Sequence, residues 1–197
     1  MIVRTLPVML AALALGGVAR AQDPSFDCSR VEAGSIEELV CNDSTLAELD
    51  QKLAGVFAAA LAKANNEHPP VLRTEQRGWL KGRDECWKSA DQQQCVEDAY
   101  RRRIAELQAR YQLVAGKGPF VFTCDGNQAD EIIATFYPTD PPTLIAERGD
   151  STSLMYLARS GSGTRYLGRN EMFWEHQGEA LIRWGYNAPE MHCTKAQ

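Results

Sequence analysis

The sequence predicts an α+β protein of two small domains, a disulfide-linked helical bundle or hairpin followed by a small antiparallel β-barrel or sandwich. Three observations support this fold class. Apolar residues recur at helical spacing through residues 28–113, short β-rich runs take over after residue 119, and an even number of cysteines, six, is spread over both parts. A length of 197 residues accommodates two such domains.

Residues 1–21 are expected to be a cleaved signal peptide rather than part of the fold. Arg4 precedes an apolar run over residues 6–18, and Ala19-Arg20-Ala21 has the small-x-small pattern of a cleavage site. The run is too short to cross a hydrocarbon core of about 30 Å as a helix. Cys28 does not follow a lipobox of small residues, so we expect an exported protein with no membrane anchor.

The charge of the chain excludes one class of partner. The net charge is −5, and removing residues 1–21 removes two arginines and no acidic residue, which leaves −7. Nucleic-acid binding calls for a basic patch, so this balance argues against it. An acidic secreted protein would meet a strongly basic partner faster by electrostatic steering.

The first domain, over residues 22–114, is predicted to contain three main helices. Ser35 and Thr45 each precede a glutamate by three residues, the capping-box pattern of a helix start. A second helix is expected over residues 71–86 and a third from about residue 92 to Tyr111. The first long apolar stripe consists of Leu46, Leu49, Leu53, Val56, Phe57, Ala60 and Leu61.

Residues 115–119 are predicted to be a linker, because no helix continues through Gly-Lys-Gly-Pro. The second domain, over residues 120–197, offers seven short β-rich runs separated by turn residues, a pattern typical of a small barrel or sandwich. These runs cover residues 120–124, 131–137, 143–147, 153–159, 165–168, 172–175 and 180–184.

The six cysteines predict a disulfide framework in an exported chain. Cys124 and Cys193 bracket the second domain, so one bridge should join them. In the first domain the preferred pairs are Cys28 with Cys41 and Cys86 with Cys95. The cross pairing between these two pairs stays open as an alternative.

No constellation of catalytic residues is evident. The chain lacks HExxH, GxxxxGK[ST] and GxGxxG motifs, and it leaves no unpaired cysteine as a nucleophile. The cysteines lack zinc-site spacing, and the segment from Asp125 to Asp130 falls short of a calcium loop. We therefore expect no enzyme activity, no metal and no cofactor.

Two motifs in the second domain carry a family resemblance. Ser160-Gly-Ser-Gly-Thr-Arg-Tyr166 is followed by Phe173-Trp-Glu-His-Gln-Gly-Glu-Ala180, and Cys124 and Cys193 frame both. This arrangement resembles the membrane-bound and periplasmic inhibitors of C-type lysozyme (MliC/PliC). The resemblance implies an antiparallel β-barrel of about eight strands, a C-type lysozyme as partner and, without a lipobox, a periplasmic location.

The first domain has a resemblance of its own. Cys41-Asn-Asp-Ser-Thr-Leu-Ala-Glu-Leu-Asp50, Trp79-Leu-Lys-Gly-Arg-Asp-Glu-Cys86 and Cys95-Val-Glu-Asp-Ala-Tyr100 resemble the N-terminal domain of LprI-type lysozyme-inhibitor proteins. This likeness implies an envelope protein, and it leaves the role of the helical domain open.

The inhibitor resemblance also implies a binding site. A C-type lysozyme cuts its substrate with two carboxyl groups across a cleft, and the family inserts a serine and a lysine there. Ser162 matches the serine of the family, and His176 stands where the family has the lysine. An ordinary histidine, unlike a lysine, is mostly neutral at pH 7. Either His176 is protonated on binding or the cation is lost. The full set of candidate binding residues is Ser160, Gly161, Ser162, Gly163, Thr164, Arg165, Tyr166 and His176.

Tyr166, Phe173 and Trp174 are expected mainly to fix the shape of the loop by packing. The alternative hypothesis is a non-inhibitory module of the cell envelope that binds glycan or peptidoglycan fragments. The sequence makes no prediction of oligomeric state.

Overall fold

A computed structural model describes residues 23–66 and 71–196, so the predicted signal peptide lies outside the described residues. The helices are α1 (Ile36–Asn42), α2 (Ser44–Lys63), α3 (Val71–Asp84) and α4 (Gln92–Arg110), with short 3-10 turns at Cys28–Arg30, Ala64–Asn66 and Glu85–Lys88. Within the described part, no helix has the length and hydropathy needed to cross a membrane.

The helical domain has four helices where the sequence analysis predicted three. The capping interaction at Ser35 is present, because its hydroxyl accepts a hydrogen bond from the Glu38 amide at 3.1 Å and starts α1. The predicted capping box at Thr45 is wrong. Asp43 caps α2 instead, its carboxylate accepting from the Leu46 amide at 2.9 Å, and Thr45 lies inside the first turn. An aspartate satisfies orphan amides at a helix start as well as a hydroxyl does.

Buried charges cross the apolar core of the helical domain. Arg83 is 3 % exposed and donates to the Tyr100 hydroxyl at 2.8 Å, and that hydroxyl donates to Asp50 at 2.9 Å. Arg83 also bonds to Glu37 of α1 and to the adjacent Asp84, and the bond to Glu37 joins α1 to α3. Because a charge buried without a partner costs several kcal/mol, this network of hydrogen bonds and ion pairs fixes how α1, α2, α3 and α4 pack.

The second domain is a closed antiparallel barrel in which each strand pairs with the next and the last pairs with the first. Phe122, Ile132, Leu144, Met155, Phe173 and Ile182 point inward and are fully buried, or nearly so. The strands are β1 (Lys117–Cys124), β2 (Asn127–Tyr137), β3 (Thr143–Arg148), β4 (Ser151–Ala158), β5 (Thr164–Leu167), β6 (Glu171–His176), β7 (Glu179–Trp184) and β8 (Glu190–Lys195).

The eight strands agree with the number implied by the family resemblance and exceed the seven runs identified from composition. The missing one is β8, whose inward side chains are only Met191 and Cys193 between exposed Glu190, His192 and Thr194. Two buried residues give too weak an alternation to identify a strand. Pairing with both β7 and β1 supplies the backbone hydrogen bonds that stabilise it.

The disulfides confirm the preferred pairing. Cys28 is bonded to Cys41, Cys86 to Cys95 and Cys124 to Cys193, so the cross pairing of the first four cysteines is wrong. The third bridge joins two paired positions of β1 and β8, where the barrel closes.

The helical domain packs on the barrel through α4. The Tyr156 hydroxyl of β4 donates to the Arg102 carbonyl at 3.2 Å, and the Arg102 guanidinium lies 5.1 Å from the centre of the Tyr156 ring. Arg101 forms an ion pair with Asp140 in the loop between β2 and β3. On the same side of α4, Ala105 and Ala109 are fully buried. These contacts attach α4 to the outer face of the barrel.

Candidate functional site

One end of the barrel gathers the residues that the inhibitor resemblance singled out. In a meander of eight antiparallel strands, the connections after β2, β4 and β6 all lie at the same end. These connections are residues 138–142, 159–163 and 177–178, and we call this the loop end. The turn at residues 149–150, between β3 and β4, lies at the opposite end.

The loop at residues 160–163 is held in shape by two hydrogen bonds. The Ser160 hydroxyl donates to the Gly163 carbonyl at 2.8 Å and closes the turn. The Trp174 indole N–H donates to the Ser162 carbonyl at 2.8 Å. Trp174 therefore acts on the backbone of the loop, as expected of a residue that fixes its shape.

Gly163 allows the loop to lie directly against His176. Its φ is +63°, a left-handed value that favours glycine. A Cβ atom built there would lie 2.4 Å from the Glu175 carbonyl oxygen and 3.1 Å from the His176 Cβ. The absence of a side chain at Gly163 thus brings Ser162 and His176 to neighbouring positions.

The side chains of Ser162 and His176 are available to a partner. Both residues are exposed, and neither side chain has a hydrogen bond or ion pair with any residue that the structure describes. Gly161, between the two serines, has ordinary backbone angles and open space where a Cβ would be. The tip of the loop is therefore both held in shape and unobstructed.

The remaining predicted residues differ in what they offer. Thr164 and Arg165 begin β5 and pair with Glu175 and Trp174 of β6. Arg165 has no carboxylate partner among the described residues, and its Nε is buried without a hydrogen bond to any of them. Tyr166 is only 6 % exposed and belongs to the barrel core, where burial raises the pKa of its hydroxyl. Tyr166 is thus placed as scaffold, away from a partner.

A groove of about 320 Å³ runs beside the loop on the outer face of β6, β7 and β8. It adds residues that the sequence analysis did not assign to the site, chiefly Glu179 and His192. His192 stands in one cross-strand row with Trp174 and Leu181. The alternation of β8 is the only sequence signal that places His192 on this face, and that strand was not predicted.

The loop end offers hydrogen-bond donors and acceptors in a fixed array. The Ser162 hydroxyl can both donate and accept a hydrogen bond. A histidine such as His176 can donate and accept when it is neutral, and it carries a positive charge when it is protonated. Arg165 supplies a permanent cation. Within residues 23–66 and 71–196, no group of three or more histidine, cysteine, aspartate or glutamate side chains is placed to hold a metal ion.

The helical domain contains a separate cleft of about 720 Å³, between the segment at residues 25–35 and helices α2 and α3. Its walls include Phe26, Phe57 and Trp79, and the buried Asp50 and Arg83 line it as well. This cleft is in the size range of small-ligand pockets.

Comparison with known proteins matches both domains separately. Residues 122–191 match the family described as membrane-bound lysozyme-inhibitor of c-type lysozyme, and residues 28–107 match the lysozyme inhibitor LprI family. The chain is 30% identical over 180 residues to lipoprotein LprI of Mycobacterium bovis and of Mycobacterium tuberculosis, with 89% of each chain covered. In this chain a helical domain precedes an MliC-type barrel, so both expected resemblances are confirmed, and the chain belongs to the LprI family of lysozyme inhibitors.

Proposed function

We propose that this protein inhibits C-type lysozyme by placing the 160–163 loop and the His176 turn in the active-site cleft of the enzyme. The observation that carries the proposal is the packing of Gly163 on His176, which presents the Ser162 side chain beside the imidazole with neither group paired to a residue in the described part of the chain. The two family matches support lysozyme as the partner and a role other than catalysis.

The chemistry of the cleft fits this array. A C-type lysozyme works with one protonated and one ionised carboxyl group. The Ser162 hydroxyl can accept from the first and donate to the second. Because Trp174 and Ser160 already fix the loop, little conformational entropy remains to be lost on binding.

A positive charge would strengthen the contact with the ionised carboxylate. Protonated His176 supplies it in this proposal, and Arg165, which has no acidic partner among the described residues, adds to the positive potential beside the loop. Inhibition should therefore be stronger at pH 6 than at pH 8, since far more of a histidine population is charged at the lower pH.

The test is lysis of a lysozyme-sensitive cell suspension by a C-type lysozyme, with the protein titrated in at pH 6 and pH 8. Inhibition that weakens at pH 8 supports the role of His176. Equal inhibition assigns binding to Ser162 and its loop without a histidine charge. An unchanged lytic rate at large molar excess of the protein would refute the proposal.

Substitutions at the loop sharpen this test. Ser162→Ala should weaken inhibition, and His176→Lys should strengthen it and remove its pH dependence. Gly161→Glu should abolish inhibition without harming the fold, because open space surrounds that position and the new carboxylate would oppose those of lysozyme. The matched control is Ser151→Glu, an exposed position at the opposite end of the barrel, which should inhibit like the wild type.

We place the protein in the periplasm, as the predicted signal peptide and the MliC-type domain support. The cleft of the helical domain favours a second candidate function, binding of a glycan or peptidoglycan fragment. Its aromatic walls and its charged side chains are the two kinds of group that contact sugar rings and their hydroxyls. Soluble peptidoglycan fragments should then change the tryptophan fluorescence of the wild type and not of Trp79→Phe. No change in the wild type would refute this candidate.

A further inference from the structure

We propose that helix α4 carries a second contact surface for the same lysozyme, next to the inhibitory loop. The surface consists of Asp91, Gln94 and Asp98 on α4, together with Leu157 at the rim of the barrel, and we call it the α4 extension. The inference rests on the proposed function and adds to it a role for the helical domain.

Helix α4 runs along the outer face of the barrel with its N-terminal end toward the loop end. The C-terminal end of the helix lies toward the turn at residues 149–150, since Ala109 and Arg110 line a cavity with Thr152 and Glu147. Arg101 and Arg102, more than two turns earlier, contact Asp140 and Tyr156 at the loop end. The residues before Arg101 therefore continue past the loop end of the barrel.

The length of this projection follows from helix geometry. Ten residues separate Gln92, the first residue of α4, from Arg102. At 1.5 Å per residue, about 15 Å of helix lies between Gln92 and Arg102, the residue that contacts Tyr156. The loop at residues 160–163 begins only a few residues after Tyr156, so the loop and the projecting helix stand side by side.

The helix face that packs on the barrel continues, exposed, into the N-terminal part of α4. Arg102, Ala105 and Ala109 form the stripe of α4 that packs on the barrel, and residues three, four or seven apart share a helix face. Continued toward the N-terminus, the same stripe reaches Asp98, Gln94 and Asp91, which are all exposed. One half of this helix face is thus covered by the barrel, and the other half faces the space beside the inhibitory loop.

An exposed apolar residue lies at the rim of the barrel, next to Tyr156 and two residues before the 159–163 connection. Leu157 follows Tyr156 directly and takes the inward position after the fully buried Met155, yet it is 42 % exposed because the barrel ends there. Partly exposed apolar residues within a polar rim are typical of protein interfaces. Leu157 therefore adds exposed apolar area at the rim of the barrel, in sequence between Tyr156, which contacts α4, and the loop.

Size and charge identify the occupant. A globular domain of about 100 residues has a radius of gyration of about 13 Å, so a lysozyme bound to the loop would extend far enough to reach the neighbouring N-terminal part of α4. The exposed ionised groups of the extension are Asp91 and Asp98, while the exposed Arg102, one turn after Asp98, lies against Tyr156 at the boundary with the barrel. A C-type lysozyme of net positive charge is complementary to the two aspartates. Neither aspartate has an ion pair with a described residue.

The test compares two charge reversals of equal size in the full chain. Asp98→Lys changes the extension, and Asp150→Lys changes an exposed residue at the opposite end of the barrel. Binding to a basic C-type lysozyme is measured by surface plasmon resonance, with lysis inhibition in parallel. We expect Asp98→Lys to weaken binding about tenfold and Asp150→Lys to change it less than twofold. Asp91 is kept because it caps α4 through the Gln94 amide.

Hydrogen exchange gives an independent readout. On addition of lysozyme, amides at the N-terminal end of α4 should become protected together with those of the 160–163 loop. Equal effects of the two charge reversals, or protection confined to the loop, would overturn the inference about α4. The proposed function would still stand in that case, provided that the wild-type protein inhibits lysozyme. Absence of inhibition and binding by the wild type would refute both.

Discussion

Replacing Gly163 with alanine is the substitution for which the structure gives the clearest expectation. The position has a φ of +63°, and an added Cβ would come within 2.4 Å of the Glu175 carbonyl oxygen. A left-handed conformation costs an L-residue roughly 1–2 kcal/mol. The contact with a backbone atom cannot be relieved by rotating a side chain, so the loop must shift away from β6.

That shift has two measurable consequences. The barrel should lose about 1–3 kcal/mol of stability from the combined strain and overpacking. For a domain of roughly 80 residues, each kcal/mol lowers Tm by roughly 4–8 °C. The loop would also separate from His176, so inhibition of lysozyme should fall by more than the loss of folded protein explains.

Gly161→Ala is the matched control. It adds the same methyl group two residues away, where no atom lies within 4 Å and φ is not positive. Thermal unfolding followed by circular dichroism and the lysis assay are measured for both variants at a temperature where both are folded. If Gly163→Ala inhibits as well as Gly161→Ala does, the packing of the loop on His176 does not create the site.

Three further predictions concern the scaffold. Replacing Cys124 and Cys193 together with serine should destabilise the barrel by about 4 kcal/mol in the chain-entropy model, because the bridge spans 69 residues, while the helical circular dichroism signal persists. Tyr100→Phe should lower the free energy of unfolding of the helical domain in urea by about 1–3 kcal/mol, since it leaves Asp50 and Arg83 without a shared buried partner. The comparison is Tyr186→Phe, which removes the same hydroxyl from an exposed residue. Burial raises the pKa of Tyr156 to about 12, so its contribution to stability is complete below about pH 10 and is lost as the pH rises to about 12. The free energy of unfolding of Tyr156→Phe should therefore fall less steeply than that of the wild type over this pH range. An identical profile would contradict the burial of the Tyr156 hydroxyl.

Local signals were sufficient for much of the fold. The stripe that begins at Leu46, the break before residue 120 and the spacing of the cysteines indicated the two domains and the Cys124–Cys193 bridge, whereas the pairing of the other four cysteines was only a preference that the structure confirms. The helix start at Ser35 was predicted, but the break between α1 and α2 was missed, because a single capping aspartate, Asp43, within a polar stretch is not a distinctive signal.

The candidate site was only partly predictable, since half of it depends on pairing between distant strands. Ser162 and His176 came from motifs, and the structure places them beside each other through Gly163. The proximity of His192 to the loop depends on the register of β6, β7 and β8, which no local pattern encodes. The docking of α4 on Tyr156 is likewise a tertiary contact between residues 54 positions apart.

The pairing of β8 with β1 makes the barrel depend on its final strand. A chain that ended before Glu190 would leave the backbone groups of β1 and β7 unpaired along two open edges. Open edges are templates for strands of other molecules, and natural proteins cover or interrupt them to avoid aggregation. Loss of the last few residues would therefore turn the closed barrel into an open sheet, and we expect such a truncated chain to associate with other molecules through the free edges of β1 and β7.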